Sequence, residues 1–167
     1  MKKKFFLILM ICLLSIPAFS EQRIEEKGFI LVWETEADKL VVTLSAETTG
    51  WIAFGIGATS VMRDANIIML WVDDEMGIAM AEDHFGTGKF KHASDIDLGG
   101  SQDVQVLTGR QTEDTTEITF TIPLDSGDEY DTVLERGEVY RLLLASNKSD
   151  KITWKHNSKY AADIEIR

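Results

Sequence analysis

Residues 50–74 read GWIAFGIGATSVMRDANIIMLWVDD, and this stretch predicts two β-strands joined by a loop. The strands are expected at residues 51–56 and 66–72, two apolar runs with few polar side chains. Because successive side chains of a strand point to opposite faces, each run would place apolar groups on both faces. We therefore expect both strands to be central in a sheet and covered on both sides.

The rest of the chain also predicts β-strands, in short apolar or alternating runs separated by polar turns. These runs occupy residues 29–34, 40–46, 77–82, 104–110, 116–122, 139–146 and 152–156. Short strands at this spacing predict an all-β fold, an antiparallel immunoglobulin-like β-sandwich. Residues 83–101 are polar and glycine-rich and predict a surface excursion, and the only helical candidate is residues 131–135.

The N-terminus has the pattern of a secretory signal peptide. Three lysines precede an apolar run at residues 5–16, and small residues follow up to Ser20. We expect cleavage after Ser20, so that residues 1–20 are a signal peptide and residues 21–167 form one exported domain, periplasmic or extracellular. The alternative is that the segment is retained as an N-terminal anchor.

The composition excludes several kinds of partner and cofactor. Without the three lysines of residues 1–20, the chain has 14 basic and 28 acidic residues, a formal net charge of −14. Such acidity disfavours nucleic acid and anionic membranes, and it suits either a solvated surface or a basic partner. Cys12 is the only cysteine, so residues 21–167 hold no disulfide and no covalent c-type haem. No later run is long enough to span a membrane.

The sequence contains none of the common catalytic motifs. Gly-x-Ser-x-Gly, the phosphate-binding Gly-x-x-x-x-Gly-Lys and His-Glu-x-x-His are all absent. Asp125, Asp128 and Asp131 could gather around a calcium ion, although their spacing does not match an EF-hand loop. We therefore expect that the domain is not an enzyme by itself.

Taken without any relative, the sulfur and imidazole groups of the chain have ordinary structural interpretations. Met62 would be a core residue that fills a gap between the two central strands. His84 and His92 lie in the polar excursion and would be solvated, and His156 would be a surface or hydrogen-bonded histidine.

An ordered set of motifs, however, resembles a known family. The set comprises Gly50-Trp51-Ile52-Ala53-Phe54-Gly55, Met62, Ala65-Asn66, Trp71-Val72-Asp73-Asp74, Ser101-Gln102-Asp103-Val104, Phe120-Thr121-Ile122-Pro123-Leu124, the turn at 128–131, and Trp154 with His156. It is similar to the DOMON family, first described at the N-terminus of dopamine β-monooxygenase. Relatives include the cytochrome domain of cellobiose dehydrogenase.

The resemblance implies a cofactor and its ligands. In haem-binding DOMON domains, a methionine between the central strands and a late histidine ligate the iron. The resemblance therefore implies non-covalent haem b with Met62 and His156 as metal ligands. The candidate residues of the pocket wall are Trp51, Ile67 and Trp154. The candidate partners of the haem propionates are Arg63, Lys155 and Lys159.

This resemblance predicts an electron-transfer module that exchanges electrons with a separate redox partner protein. One departure is Asn66, which stands where the family usually has aspartate. An alternative is a haem-free DOMON module that recognises a carbohydrate ligand or another protein. A third is a redox-enzyme subunit resembling the haem subunit of molybdenum dehydrogenases.

Overall fold

The computed structural model describes residues 21–167, so the predicted signal peptide at residues 1–20 lies outside the described residues. Eleven strands and one short helix follow one another along this part of the chain. They are β1 (Gln22–Glu26), β2 (Phe29–Glu36), β3 (Lys39–Ala46), β4 (Ile52–Ile56), β5 (Asn66–Val72), β6 (Ala79–Gly88), β7 (Lys91–Ser94), α1 (Asp95–Leu98), β8 (Gln105–Gln111), β9 (Thr116–Pro123), β10 (Val139–Ser146) and β11 (Ser158–Glu165).

The strands form two antiparallel sheets. One has five strands in the order β1-β2-β3-β9-β8, and the other has six in the order β11-β10-β4-β5-β6-β7. Their facing side chains form the main core, where the rings of Phe54 and Phe120 meet edge to face with centroids 5.7 Å apart. This arrangement confirms the predicted all-β sandwich.

The two strands predicted to be central lie in the middle of the six-stranded sheet. Every residue of β4 is buried, and so is every residue of β5 except Trp71. Ile52 and Phe54 belong to the main core, whereas Trp51 and Ala53 belong to a second apolar cluster on the outer face of the sheet. The absence of a polar face in the sequence thus corresponds to burial on both sides.

The structure corrects three local predictions. The strand predicted at 152–156 is wrong, because a turn with a hydrogen bond from Trp154 N to Lys151 O (2.9 Å) occupies that segment. The last strand is β11, an edge strand whose inward-facing side chains are only half-buried apart from Ile164. The helix predicted at 131–135 is also wrong, since Leu134 N donates to the distant Leu124 O (2.7 Å). The excursion at 83–101 instead contains the rest of β6, β7 and α1.

The topology places two loops at opposite ends of one sheet face. The loop carrying Met62 follows Ile56 of β4, and the loop carrying His156 follows Ser146 of β10. These strands are antiparallel neighbours in which Ser146 pairs with Ile52. The two loops therefore leave the sheet at opposite ends. Over residues 21–167, no helix has the length and apolar character needed to cross a membrane.

Candidate functional site

A cavity of about 940 Å³ lies over the outer face of the six-stranded sheet. Its floor consists of small or aliphatic residues from adjacent strands, because Gly55 pairs with Leu143 and Ala53 pairs with Ala145. The backbone of Gly55 approaches its neighbours closely, since an added Cβ would lie 3.2 Å from Leu143 Cβ. Small floor residues leave a flat surface, and the volume is at the upper end of the roughly 300–1,000 Å³ typical of ligand pockets.

One wall of the cavity is the second apolar cluster. Trp51, Ile67 and Met69 are buried in this cluster and also line the cavity. The indole Nε1 of Trp51 is buried without a hydrogen-bond partner within residues 21–167. This N–H group is buried inside the wall, so the surface that the wall presents to the cavity is apolar.

The Met62 loop is held against β6 by backbone contacts. Asp64 N donates to Gly86 O at 2.8 Å, and Gly86 N donates to Ala65 O at 2.9 Å. Val61 and Asp64 adopt positive φ angles of 59° and 63°, which L-residues rarely do. This pair of left-handed turns lets the loop fold back and brings the half-buried Met62 to the cavity.

The His156 loop is held by the buried Asn147 at its start. The side-chain Nδ2 of Asn147 donates to Lys155 O at 2.6 Å, and Asn157 N donates to Ser146 O at 2.7 Å. Burial, followed by the charges of Lys159 and Lys155, lowers the pKa of His156. The imidazole is therefore neutral at neutral pH, which is the form that binds metals.

Seven of the eight site residues predicted from the sequence line this one cavity. They are Met62, His156, Trp51, Ile67, Trp154, Lys155 and Lys159. Arg63 is not among the lining residues. It is exposed on the turn closed by a bridge with Ser60, although its neighbour Met62 lines the cavity.

The charges around the cavity have one sign. Lys27, Arg141, Lys155 and Lys159 line it, and no aspartate or glutamate does. Arg141 also pairs with Asp163, with 3.1 Å between Nη1 and Oδ1. In a chain with so large an acidic excess, this sign marks a site suited to an anionic group. The alternation of β10 could have indicated Arg141, because it shares a face with Leu143.

The sequence also missed a histidine at the cavity. His92 lines it, and its Nδ1 lies 3.0 Å from Nδ1 of the buried His84, whose Nε2 lies 3.2 Å from Glu82 Oε2. The expectation that both histidines are solvated is therefore wrong. Burial, followed by the neighbouring His84, lowers the pKa of His92. The continuation of β6 beyond residue 82 brings the two histidines inward. The polar composition of residues 83–101 gave no sign of this strand.

Known structures with the same fold include two cytochrome domains. The cytochrome b domain of pyranose dehydrogenase from Coprinopsis cinerea aligns with a TM-score of 0.61 and 13% identity, covering 88% of this chain and 81% of that one. The cytochrome domain of cellobiose dehydrogenase from Myriococcum thermophilum aligns with a TM-score of 0.59 and 13% identity, covering 89% of this chain and 83% of that one. At such identity the likeness concerns the fold alone.

Sequence comparison identifies the family. No curated protein sequence matches the chain. The sequence model of the DOMON domain, however, matches residues 25–147, which is well over half of the chain. This protein therefore belongs to the DOMON family.

Proposed function

We propose that the protein is an exported electron-transfer module that binds haem b non-covalently, with Met62 and His156 as the axial ligands. The observation that carries the proposal is that a thioether and an imidazole line one mostly apolar cavity whose lysine and arginine side chains are, among residues 21–167, its only charged residues. Residues 1–20 would direct export to the periplasm or the medium, and residues 21–167 would be the functional domain.

The donor set fits haem iron. Met62 and His156 belong to loops that leave opposite ends of the same sheet face, so they can approach a ligand from two sides. When bound, haem b supplies a one-electron couple, and Met/His ligation raises its reduction potential. If Met62 and His156 both held the iron, no coordination position would be left for oxygen or a substrate, so the chain would carry electrons and would not be an enzyme by itself.

The shape and polarity of the cavity fit a flat amphipathic group. The small residues Ala53 and Gly55 leave space above the sheet for such a group between the two loops, and Trp51 and Ile67 provide an apolar wall that excludes water.

The basic residues fit the two propionates of haem. Lys155 and Lys159 line the cavity beside His156, and each would pair with a carboxylate. The exposed Arg63 is outside the cavity, so its predicted propionate role is not part of this proposal.

The electron donor or acceptor would be a separate redox protein that docks at the cavity mouth. Three large apolar side chains that line the cavity are exposed: Val61 (50%), Phe90 (79%) and Trp154 (55%). Exposed apolar groups around a cofactor edge suit a transient redox partner. The structurally similar domains are described as parts of dehydrogenases, which supports a partner of that kind.

The experiment is absorption spectroscopy of the protein expressed with sufficient haem. We expect sharp reduced Soret and α bands typical of six-coordinate iron. Met62→Leu should convert the spectrum to a five-coordinate form, and His156→Ala should release most of the haem. Met69→Leu and His92→Gln are matched controls, since both residues line the same cavity and should leave the spectrum unchanged. A colourless protein, or a spectrum unaffected by both ligand variants, would refute the proposal.

A second candidate function is carbohydrate binding without haem. The observation that favours it is the exposed Trp154, whose ring could stack on a sugar and already has Lys151 Nζ 5.0 Å from its centroid. Retention of a colourless protein on a polysaccharide column, lost in Trp154→Ala, would support this function against haem binding.

A further inference from the structure

Two buried carboxylates and one half-buried carboxylate lie close together at a point away from the proposed haem cavity. Asp83 of β6, Asp95 at the start of α1 and Asp131 in the β9–β10 connection each have an oxygen within 4.8 Å of the others. Asp83 and Asp95 are 1% and 0% exposed, respectively. The cluster therefore joins three segments that are distant in sequence.

Oxygen atoms at the cluster lack partners among residues 21–167. Neither carboxylate oxygen of Asp95 accepts a hydrogen bond, and Oδ1 of Asp83 has none either. Asn66 gives an independent indication, because its side chain is 3% exposed and its Oδ1 is also unpartnered. The Nδ2 group of Asn66 donates to Asp131, which places this amide at the cluster. Buried acceptors without donors suit a cation, which oxygen ligands can hold.

The charge of the cluster is not compensated by protein. Over the described residues, none of the three aspartates forms an ion pair with lysine, arginine or histidine. Burial, then Asp131 and Asp95, raises the pKa of Asp83 to about 8. Burial, then Asp131, raises the pKa of Asp95 to about 7. These shifts follow from carboxylates that face one another away from water.

We propose that Asp83, Asp95 and Asp131 bind a calcium ion, with the amide oxygen of Asn66 as a neutral ligand after rotation of that amide. Calcium lies about 2.3–2.6 Å from its oxygen ligands. Two ligands on opposite sides of the ion are therefore at most about 5 Å apart, and the three carboxylate oxygens lie within 4.8 Å of one another. The donors are all oxygen, which suits calcium and disfavours zinc.

The sequence pattern indicated a different set of aspartates. Of Asp125, Asp128 and Asp131, only Asp131 belongs to the cluster. Asp125 Oδ1 accepts from Gly127 N at 3.0 Å, and Asp128 Oδ1 accepts from Tyr130 N at 2.9 Å. These two aspartates therefore cap turns, and the partners of Asp131 come from elsewhere in the chain.

The ion would link the segment of residues 83–101 to the six-stranded sheet. Asp83 and Asn66 lie on neighbouring strands, and Asp95 begins the short helix that follows β7. Asn66 directly follows the Met62 loop, so the ion would also stabilise the base of that loop. Calcium binding needs no haem, and its test is independent of the proposed electron transfer.

The test is thermal unfolding of the chelator-treated full chain with increasing CaCl₂. At a hundredfold excess over the Kd, we expect the Tm to rise by about 5–10 °C. Asp95→Asn should abolish this rise without lowering the Tm of the calcium-free protein, because it removes charge repulsion. Asp97→Asn is the matched control, since Asp97 is exposed on the same helix and should keep the full rise.

Terbium luminescence provides a second measurement that does not depend on the Tm. Tyr130 adjoins the cluster and should sensitise bound Tb³⁺, calcium should displace the signal, and Asp83→Asn should abolish it. Magnesium, which requires tighter octahedral geometry, should compete more weakly. The proposal is overturned if calcium leaves the Tm unchanged, if Asp95→Asn and Asp97→Asn respond alike, or if calcium does not displace terbium.

Discussion

Gly86 of β6 supports the carbonyl group of Met62 in direct backbone contact. A Cβ added at Gly86 would lie 1.7 Å from Met62 O, so this position accepts no side chain. The obstacle is backbone, which cannot rotate away as a side chain can. This close approach positions the loop that brings the Met62 sulfur to the cavity. Gly86 therefore shapes the site although it does not line the cavity itself.

Gly86→Ala should therefore displace the Met62 loop. We expect a loss of about 1–3 kcal/mol in the free energy of unfolding from overpacking, measured by urea denaturation. In haem-loaded protein, the same variant should weaken the spectrum of sulfur-ligated iron. Gly88→Ala is the control on the same strand, because a Cβ there meets nothing within 4 Å. Equal stability of the two variants would contradict this account.

Phe54→Ala should be among the most damaging core substitutions. Phe54 is 0% exposed and joins the two sheets through Phe120. Removing its ring should cost about 3–5 kcal/mol of the free energy of unfolding, measured with urea. Phe90→Ala removes the same group from a side chain that is 79% exposed, and it should change stability by less than about 0.5 kcal/mol. Similar losses of unfolding free energy in both variants would contradict the assignment of Phe54 to the core between the sheets.

Replacing Lys155 and Lys159 by glutamine should lower the affinity of the protein for haem and lower the reduction potential of the haem. Positive charge near the iron favours the reduced state, so its removal should shift the potential downwards by an amount on the order of tens of mV. Redox titration and haem transfer to apomyoglobin would measure the two effects. Lys148→Gln, outside the cavity lining, should change neither quantity. Unchanged potential and retention in the double variant would exclude a role of these lysines with propionates.

Asp150→Asn should stabilise the protein more at pH 7 than at pH 4. Burial, followed by the nearby Asp74 and Asp73, raises the pKa of Asp150 above its usual 3.8. A raised folded-state pKa means that the contribution of Asp150 to stability is complete below the unfolded pKa and is lost as pH rises through the folded value.

The neutral amide avoids that loss, and we expect a gain below about 1 kcal/mol because the site is partly solvated. Urea unfolding at the two pH values measures it. The exposed Asp38 provides a control, since Asp38→Asn should show no comparable dependence. A gain that is larger at pH 4 would have the wrong sign.

The periodicity of apolar residues was sufficient to predict the strands whose side chains are buried. Apolar runs without a polar face predicted β4 and β5, and they are buried on both sides. The edge strand β11 was not predicted, because Ile164 is its only buried side chain and the other inward-facing residues include the polar Ser158 and the small Ala162. The motif around Met62 indicated the family, and the cavity that this methionine shares with His156 depends on loops held by Gly86 and Asn147.

The amino-acid sequence was enough to predict most of the strands, the family and the types of donor near the proposed haem, but not the edge strands β1, β7 and β11. Folding alone brought Asp83, Asp95 and Asp131 together and left Arg63 outside the cavity lining. The reason is that the alternation of apolar and polar residues shows only which face of a single strand is buried. Groups from separate strands and turns meet only through sheet order and register, which are long-range packing outcomes with no local signature.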